Sequence, residues 1–583
     1  MEPVTQGART RPPPAQLSWT PDATTFLTAY VVLLVAIPSR LTFAPLGAAG
    51  TPAQLLGIAG AGWWAWSLVA KRVQLSLPSP LRAATAAFYA CVLVSFVKAT
   101  MRPIDATELR AAQMALLSVT SWVGVFLVAH DGITDRDRLQ TLVRRLAGAG
   151  GLLAVLGLVQ FVTGHTYTGF ISLPGLTANL PLYGLADRNG LARPAATALS
   201  PIEFGVFLTI CLPLALHLAL TDGQRPIRRW LTVFAIAAAI PLSISRSAIV
   251  GTVVVLAFLL PTWSRSRRHR AYVGIVGLLM SVFVLVPGLL GSILKLFTQV
   301  GNDASAQSRT DSYPLAWEFI SRAPLFGRGF FTFLPKYRIL DNQYLGLLIE
   351  IGIVGLASVL VLFVSGVLTG LRYRRRASVD TRDRDLALCV SAALAAAGAS
   401  LAFFDAFSFP LVTGFVFLLL GCLGALVRTG VPGTQLRAVR PAPTRAAVQR
   451  PAVTPSGAGR APALPRSRAV VAAAGALVIT AIVGTTALSV LTVMHHRSDQ
   501  AVTPVLLPNT ADAPGTTPAG PATPRSAPAP QNEVPEEAVR RAQAEVDQLV
   551  TEFAQSTDVP LRRRLVARIK DLAAVPGVTV PNR

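Results

Sequence analysis

The chain has 583 residues, 52% of them hydrophobic and only 14% charged, with a mean hydropathy of +0.52. A soluble domain carries roughly a quarter charged residues, so this composition excludes a soluble enzyme and implies an all-α polytopic membrane protein. Lys and Arg exceed Asp and Glu by 24; in a membrane chain such an excess reports orientation, and nucleic-acid binding is set aside. Cys91, Cys211, Cys389 and Cys422 all lie in apolar segments at spacings that suit neither a disulfide framework nor a zinc site, and they read as packing residues.

Apolar stretches long enough to span the roughly 30 Å hydrocarbon core recur at 23–38, 50–70, 83–99, 111–129, 146–163, 199–220, 230–245, 247–261, 272–290, 342–370, 386–404, 409–427 and 469–494. This predicts 12–13 transmembrane helices in a membrane domain over 23–427, after a cytoplasmic N-terminus at 1–22. Stretch 23–38 reads as a retained first helix, with a signal peptide as the alternative. An N-terminus in the cytoplasm places 30 Lys/Arg on inner segments and 13 on outer loops before the last predicted helix, as the positive-inside rule requires. The chain is therefore expected in a membrane with its N-terminus in the cytoplasm and its C-terminal tail outside.

Segment 428–468, rich in Pro, Ala and Arg, reads as a disordered cytoplasmic linker before the last helix at 469–494. Segment 495–532, with its Thr-Pro and Ala-Pro repeats, reads as an extracytoplasmic stalk. Segment 533–583 carries apolar residues at helical spacing (Val546, Leu549, Val550, Phe553, then Leu561, Leu565 and Ile569). It reads either as an amphipathic helical tail, through which partners could bind, or as a partly folded surface tail.

Two long outer loops, 164–198 and 291–341, are the expected seat of function. The second holds Arg309, Trp317, the stretch Pro324–Gly329 (PLFGRG) and Asp341-Asn342, and the next span begins at once with Glu350, Gly352 and Gly355. An acid inside an apolar helix is costly unless it faces protein or water, so Glu350 is either a site residue or a hydrogen-bonded partner of a neighbouring helix. Asp341 and Asn342 are also good helix N-caps.

The stretch Arg309–Gly355 resembles the O-antigen ligase and O-antigen polymerase superfamily of bacterial envelope-glycan enzymes. That family's large periplasmic loop carries an Arg, a Trp-containing short helix and a Pro-Leu-Phe-Gly-x-Gly turn. It closes on His-Asn, nine residues, Gly, two residues, Gly. Here Asp341-Asn342, Gly352 and Gly355 keep the spacing, with Asp341 in the place of the His. Arg193, ahead of Pro201, Phe204 and Gly205, is similar to the arginine preceding the family's mid-chain helix, and Ser245-Arg246-Ser247 to its Ser-Arg-Gly element. The resemblance covers about 190–365.

The resemblance implies a membrane glycosyltransferase architecture of the GT-C-like kind with two larger outer loops. It implies transfer of a glycan from an undecaprenyl-diphosphate donor to an acceptor glycan or lipid, in an inverting reaction without metal or cofactor. Asp341 and Arg309 are its catalytic candidates. Three permanently charged guanidinium groups, Arg193, Arg246 and Arg309, would hold the donor diphosphate bidentately, and Asn342, Glu350, Gly352 and Gly355 would support them. Each arginine has a plainer alternative: Arg246 snorkelling at a tight turn, Arg193 an ordinary loop charge, Arg309 a salt-bridge partner of Asp303 or Asp311. Arg328, Lys336 and Arg338 read as solvated loop charges or headgroup contacts, and His165 as a plain loop residue, with an imidazole in place of the missing His as the alternative. Two other functions compete: a flippase for lipid-linked oligosaccharide, and a non-catalytic scaffold of the same fold.

Overall fold

A computed structural model describes residues 22–70, 79–180, 184–188, 190–223, 225–298, 312–376, 378–430 and 543–549. The chain divides into two units, Met1–Thr503 and Pro504–Arg583. In the second, the described residues 543–549 form a helical stretch in which Gln543 Nε2 donates to Asp547 at 3.2 Å. Of the predicted linker 428–468, Arg428 and Thr429 belong to the helix Pro410–Thr429; residues 431–468, the predicted span 469–494, the predicted stalk, the rest of the tail and residues 1–21 lie outside the described residues.

The first unit is a bundle of helices. In chain order they are α1 (Ala23–Ala36), α2 (Pro52–Val69), α3 (Pro80–Thr100), α4 (Ala106–Gly132), α5 (Arg136–Thr163), α6 (Pro201–Thr221), α7 (Pro226–Leu242), α8 (Arg246–Leu259) and α9 (Arg265–Leu285). There follow α10 (Leu289–Thr298), α11 (Tyr313–Arg322), α12 (Gln343–Glu350), α13 (Gly352–Arg374), α14 (Thr381–Ser400) and α15 (Pro410–Thr429). Among the described residues, α3, α4, α5, α6, α9, α13 and α15 are long and apolar enough to cross a membrane. The starts are written in the sequence: Asp22, Thr51, Ser79, Asp105, Asp135, Ser200 and Asp380 each cap a following helix with a side-chain oxygen.

At the centre, α4 packs against α2 and α15. The α2–α4 crossing is close because glycine stands at it: a Cβ on Gly124 would lie 2.3 Å from the carbonyl oxygen of Gly57, the small-residue contact that lets apolar helices approach in lipid. Trp122 packs on Phe407 and Phe417, at centroid distances of 5.5 and 5.7 Å. At the other extreme α9 is peripheral, exposing Val273, Val276, Phe283 and Leu285, as a lipid-facing helix would.

The predicted span 342–370 is not one helix. It breaks at Ile351, where Gly352 adopts φ +67°, into the short α12 and the long α13. Two small antiparallel sheets decorate the same end of the bundle. β1 (Leu41–Thr42) pairs with β2 (Thr177–Ala178), and β3 (Ala186–Arg188) with β4 (Leu191–Arg193). The first joins the α1–α2 connection to the 164–198 loop.

Candidate functional site

The conspicuous motifs turn out to be two halves of one joint. The carbonyls of Pro324 and Leu325 accept from Ile353 N (2.9 Å) and Val354 N (3.1 Å), satisfying two of the amide groups that every helix leaves unpaired in its first turn. In return Arg328 N donates to Ile349 O (3.0 Å) and Gly329 N to Glu350 O (2.9 Å). Gly327 and Gly352 both have left-handed backbones, φ +66° and +67°. A Cβ on Gly327 would stand 2.2 Å from the carbonyl carbon of Glu350, and one on Gly352 would stand 2.4 Å from that of Leu325. Glycine is required at both positions for space as well as for φ.

Glu350 ends α12, ahead of the spanning helix. Its carbonyl accepts from Ser95 Oγ of α3 at 2.7 Å, and its buried carboxylate from Phe333 N at 3.4 Å. Burial pushes this carboxyl up to about 8, against backbone hydrogen bonds from Phe331 and Phe333 and the charge of Arg328. Through these contacts the Glu350 side chain is a buried acid that holds the 331–333 backbone. Phe331 needs such a hold, for it is a non-glycine residue at φ +61°. Phe330 beside it is buried and packs edge-on to Phe407 at 6.2 Å.

Arg328 is not the solvated charge expected. Its side chain is 13% exposed and stacked between Phe319 and Tyr337, each ring centroid 4.8 Å away. Its Nη2 donates to both oxygens of Glu108, at 2.9 and 3.1 Å. Arg102 and Tyr337 also donate to Glu108, and Arg102 Nε donates to Arg328 O at 3.2 Å. The loop is thereby pinned to the facing ends of α3 and α4. Lys336 does remain at the surface, paired with Asp105 at 2.6 Å.

The cap of α12 is Asn342, whose Oδ1 accepts from Tyr344 N (3.0 Å) and Leu345 N (3.3 Å). Asp341 is therefore not the cap. Next to it, Gln343 fastens the start of α12 to the α14–α15 corner: its N donates to Leu401 O (2.9 Å) and its Oε1 accepts from Phe407 N (2.8 Å). Asp405, on the same corner, is pushed up to about 6, chiefly by burial, with the charge of the neighbouring Asp341 adding to the rise. The half-buried Asp341 thus shares its surroundings with a second carboxyl.

Two of the three predicted arginines meet at one turn. Arg193, on β4, donates from Nε to Ser243 O at 2.8 Å, and Arg246 opens α8 three residues further on. Arg246 is buried rather than snorkelling, its Nε donating to Leu296 O of α10 at 2.9 Å. Burial, with the charge of Arg188, lowers the Arg193 guanidinium to about 10. Its Nη2 is buried without a hydrogen-bond partner among the described residues. Arg193 lines a cavity of about 300 Å³ together with Arg40, Gln160, Thr166 and Thr168. Arg40, which the sequence reading passed over, donates to Thr168 O at 3.2 Å. Ser400 Oγ donates to Ser247 O at 3.2 Å, so the end of α14 lies between the Arg193–Arg246 turn and the Asp341–Asn342 start. Arg309 lies outside the described residues. Gly355 faces Ile351 of the helix break, 2.3 Å from a notional Cβ.

Among the described residues, one group could supply three metal ligands: His217, Asp385 and Cys389. His217 Nδ1 and Asp385 Oδ2 are already 2.6 Å apart in a hydrogen bond, too close for two zinc ligands at about 2.0–2.2 Å each in tetrahedral geometry. The pair reads as a buried polar contact between α6 and α14.

Residues 231–360 match a family model described as O-Antigen ligase. No curated protein matches the chain. The resemblance to the O-antigen ligase superfamily thus stands on the stretch that carries Arg246, Pro324–Gly329, Asp341-Asn342, Glu350, Gly352 and Gly355. It supports a ligase- or polymerase-like role in glycan biosynthesis for this multi-pass membrane protein.

Proposed function

We propose that the protein is a glycosyltransferase acting at the outer face of the bacterial cytoplasmic membrane, with its N-terminus inside. It moves a glycan from an undecaprenyl-diphosphate donor to a hydroxyl of an acceptor glycan or lipid. The observation that carries this reading is the convergence of Arg193 and Arg246 on one turn, with Asp341 across the end of α14. Arg193 keeps a buried guanidinium nitrogen to offer a diphosphate, and in this reading Arg309 of segment 291–341 adds a third charge.

In the reaction, Asp341 accepts the proton of the acceptor hydroxyl as its oxygen attacks the anomeric carbon. The bond from that carbon to the phosphate oxygen breaks on the opposite side, which inverts the centre. Lipid diphosphate leaves with the electron pair, its growing charge stabilised by the arginines. Guanidinium groups supply the positive charge in this scheme, so it calls for no divalent ion.

The test is genetic and biochemical. A deletion strain is complemented with wild type, Arg193→Ala, Arg309→Ala or Asp341→Asn, each verified in the membrane. The size distribution of lipid-linked and surface glycan is then measured. All three variants should accumulate lipid-linked precursor as the deletion does. Single repeat units without long chains identify a polymerase, and finished glycan lacking its final attachment identifies a ligase. A deletion that leaves every glycan unchanged sinks the proposal.

A further inference from the structure

At the opposite ends of the same helices lies a second pocket, unrelated to the transfer reaction. It has a volume of about 410 Å³ and is lined by Trp263 of the α8–α9 corner, Arg267 of α9, Arg374 and Arg375 at the end of α13, and Arg384 and Asp385 at the start of α14. Four arginines thus face one carboxylate, and that carboxylate is already engaged by His217 Nδ1 at 2.6 Å. Arg267, Arg374 and Arg384 are half-buried, held at the wall of a cavity rather than spread into solvent. Trp263 is 8% exposed, and its indole Nε1–H is buried without a hydrogen-bond partner among the described residues. A buried donor left unmade is costly, and a donor beside four guanidinium groups calls for an anionic acceptor.

We propose that this pocket binds the phosphate of an anionic phospholipid. Guanidinium groups match a phosphate bidentately, and basic pockets between membrane helices are where such headgroups lodge. The surface beside the pocket fits the rest of the molecule: α9 continues from Arg267 into exposed Tyr272, Val273 and Val276, and α13 exposes Val361, Val364 and Leu368. The headgroup sits among the arginines and the acyl chains lie along these apolar side chains. A free phosphate shares the headgroup chemistry but leaves the apolar surface unused, which is why the lipid is favoured.

The experiment uses the full-length protein in detergent. Its unfolding temperature is measured while phosphatidylglycerol, phosphatidylcholine or inorganic phosphate is titrated in. Phosphatidylglycerol should raise the unfolding temperature at concentrations at least tenfold below those at which phosphatidylcholine does. Arg267→Gln/Arg374→Gln should erase that preference, and Trp263→Phe should weaken it several-fold while keeping the ring. Arg270→Gln, an exposed residue of the same helix outside the pocket, should leave it intact. If the double variant does not fold, Trp263→Phe against Arg270→Gln decides. Equal effects of the two lipids overturn the proposal, as does a preference lost equally in Arg270→Gln. Protection by millimolar inorganic phosphate without any preference for phosphatidylglycerol also overturns it, in favour of a soluble phosphate.

Discussion

Arg328 reaches Glu108 across 220 residues of chain and meets both carboxylate oxygens with one nitrogen. The acid belongs to the first turn of α4 and the arginine to the loop ahead of α12, so this contact fixes the loop that carries Asp341 to the helical core. Glu108 is buried and Arg328 nearly so; without Arg328, Glu108 keeps Arg102 and Tyr337 but loses both bonds from the guanidinium. Arg328→Ala should destabilise the detergent-solubilised protein by about 1–3 kcal/mol, read as thermal unfolding. Arg328→Lys should recover little, since an ammonium cannot stack flat between Phe319 and Tyr337. The double variant Arg328→Met/Glu108→Gln should cost less than the sum of its single changes. A strictly additive double variant would show that the pair is not coupled.

The joint between Pro324–Gly329 and the α12–α13 break makes a second prediction. Gly327→Ala and Gly352→Ala each place a methyl 2.2–2.4 Å from backbone carbon and force a left-handed alanine. Both should abolish accumulation of folded protein in the membrane, measured by detergent-extractable monodisperse yield. Gly346→Ala, in α12, meets nothing nearer than the Gln343 amide at 3.9 Å and should be neutral or slightly stabilising, as alanine outranks glycine in a helix by about 1 kcal/mol.

The joint also shows what the sequence could and could not yield. Apolar lengths located the helices, and the spacing from Asn342 to Gly352 to Gly355 marked the right stretch. The break inside 342–370 was hidden because the apolar run is continuous, and only the backbone of Gly352 turns the chain. Arg328 read as solvated because its partner Glu108 is remote in sequence. The one local signal was Glu108 itself, an acid in the first turn of an apolar span, which needs a partner. Arg246 gave no warning of burial, since its partner is the backbone carbonyl of Leu296, to which the identity of residue 296 gives no clue.

A third prediction concerns pH. In the folded protein Glu350 holds its proton up to about 8, against an ordinary value of 4.5. Between those values the folded state binds more protons than the unfolded chain, so stability is full below about pH 4.5 and falls as pH rises toward 8. The slope from this one group is at most about 1.4 kcal/mol per pH unit. Asp405, pushed up to about 6, adds a decline of the same sign over the lower part of that range. Glu350→Gln should flatten unfolding temperature against pH between 5 and 8. An unchanged profile in that variant would remove Glu350 as the cause.

Asp341 and Asn342 stand side by side and should separate cleanly. Asn342 alone caps α12, so Asn342→Ala should cost about 1 kcal/mol of stability, and Asn342→Asp, another good cap, should restore it. Asn342, not Asp341, supplies the cap, so Asp341→Asn should keep the α12 cap and a folded protein while stopping glycan transfer. The two readouts must be taken on the same preparations, because a loss of transfer that merely followed lost stability would say nothing about a proton acceptor. If Asp341→Asn unfolds like Asn342→Ala, its role is structural, and the neighbouring Asp405 becomes the carboxyl to test. If it stays folded and still transfers glycan, the proton goes elsewhere, and the arginines alone remain of the proposed chemistry.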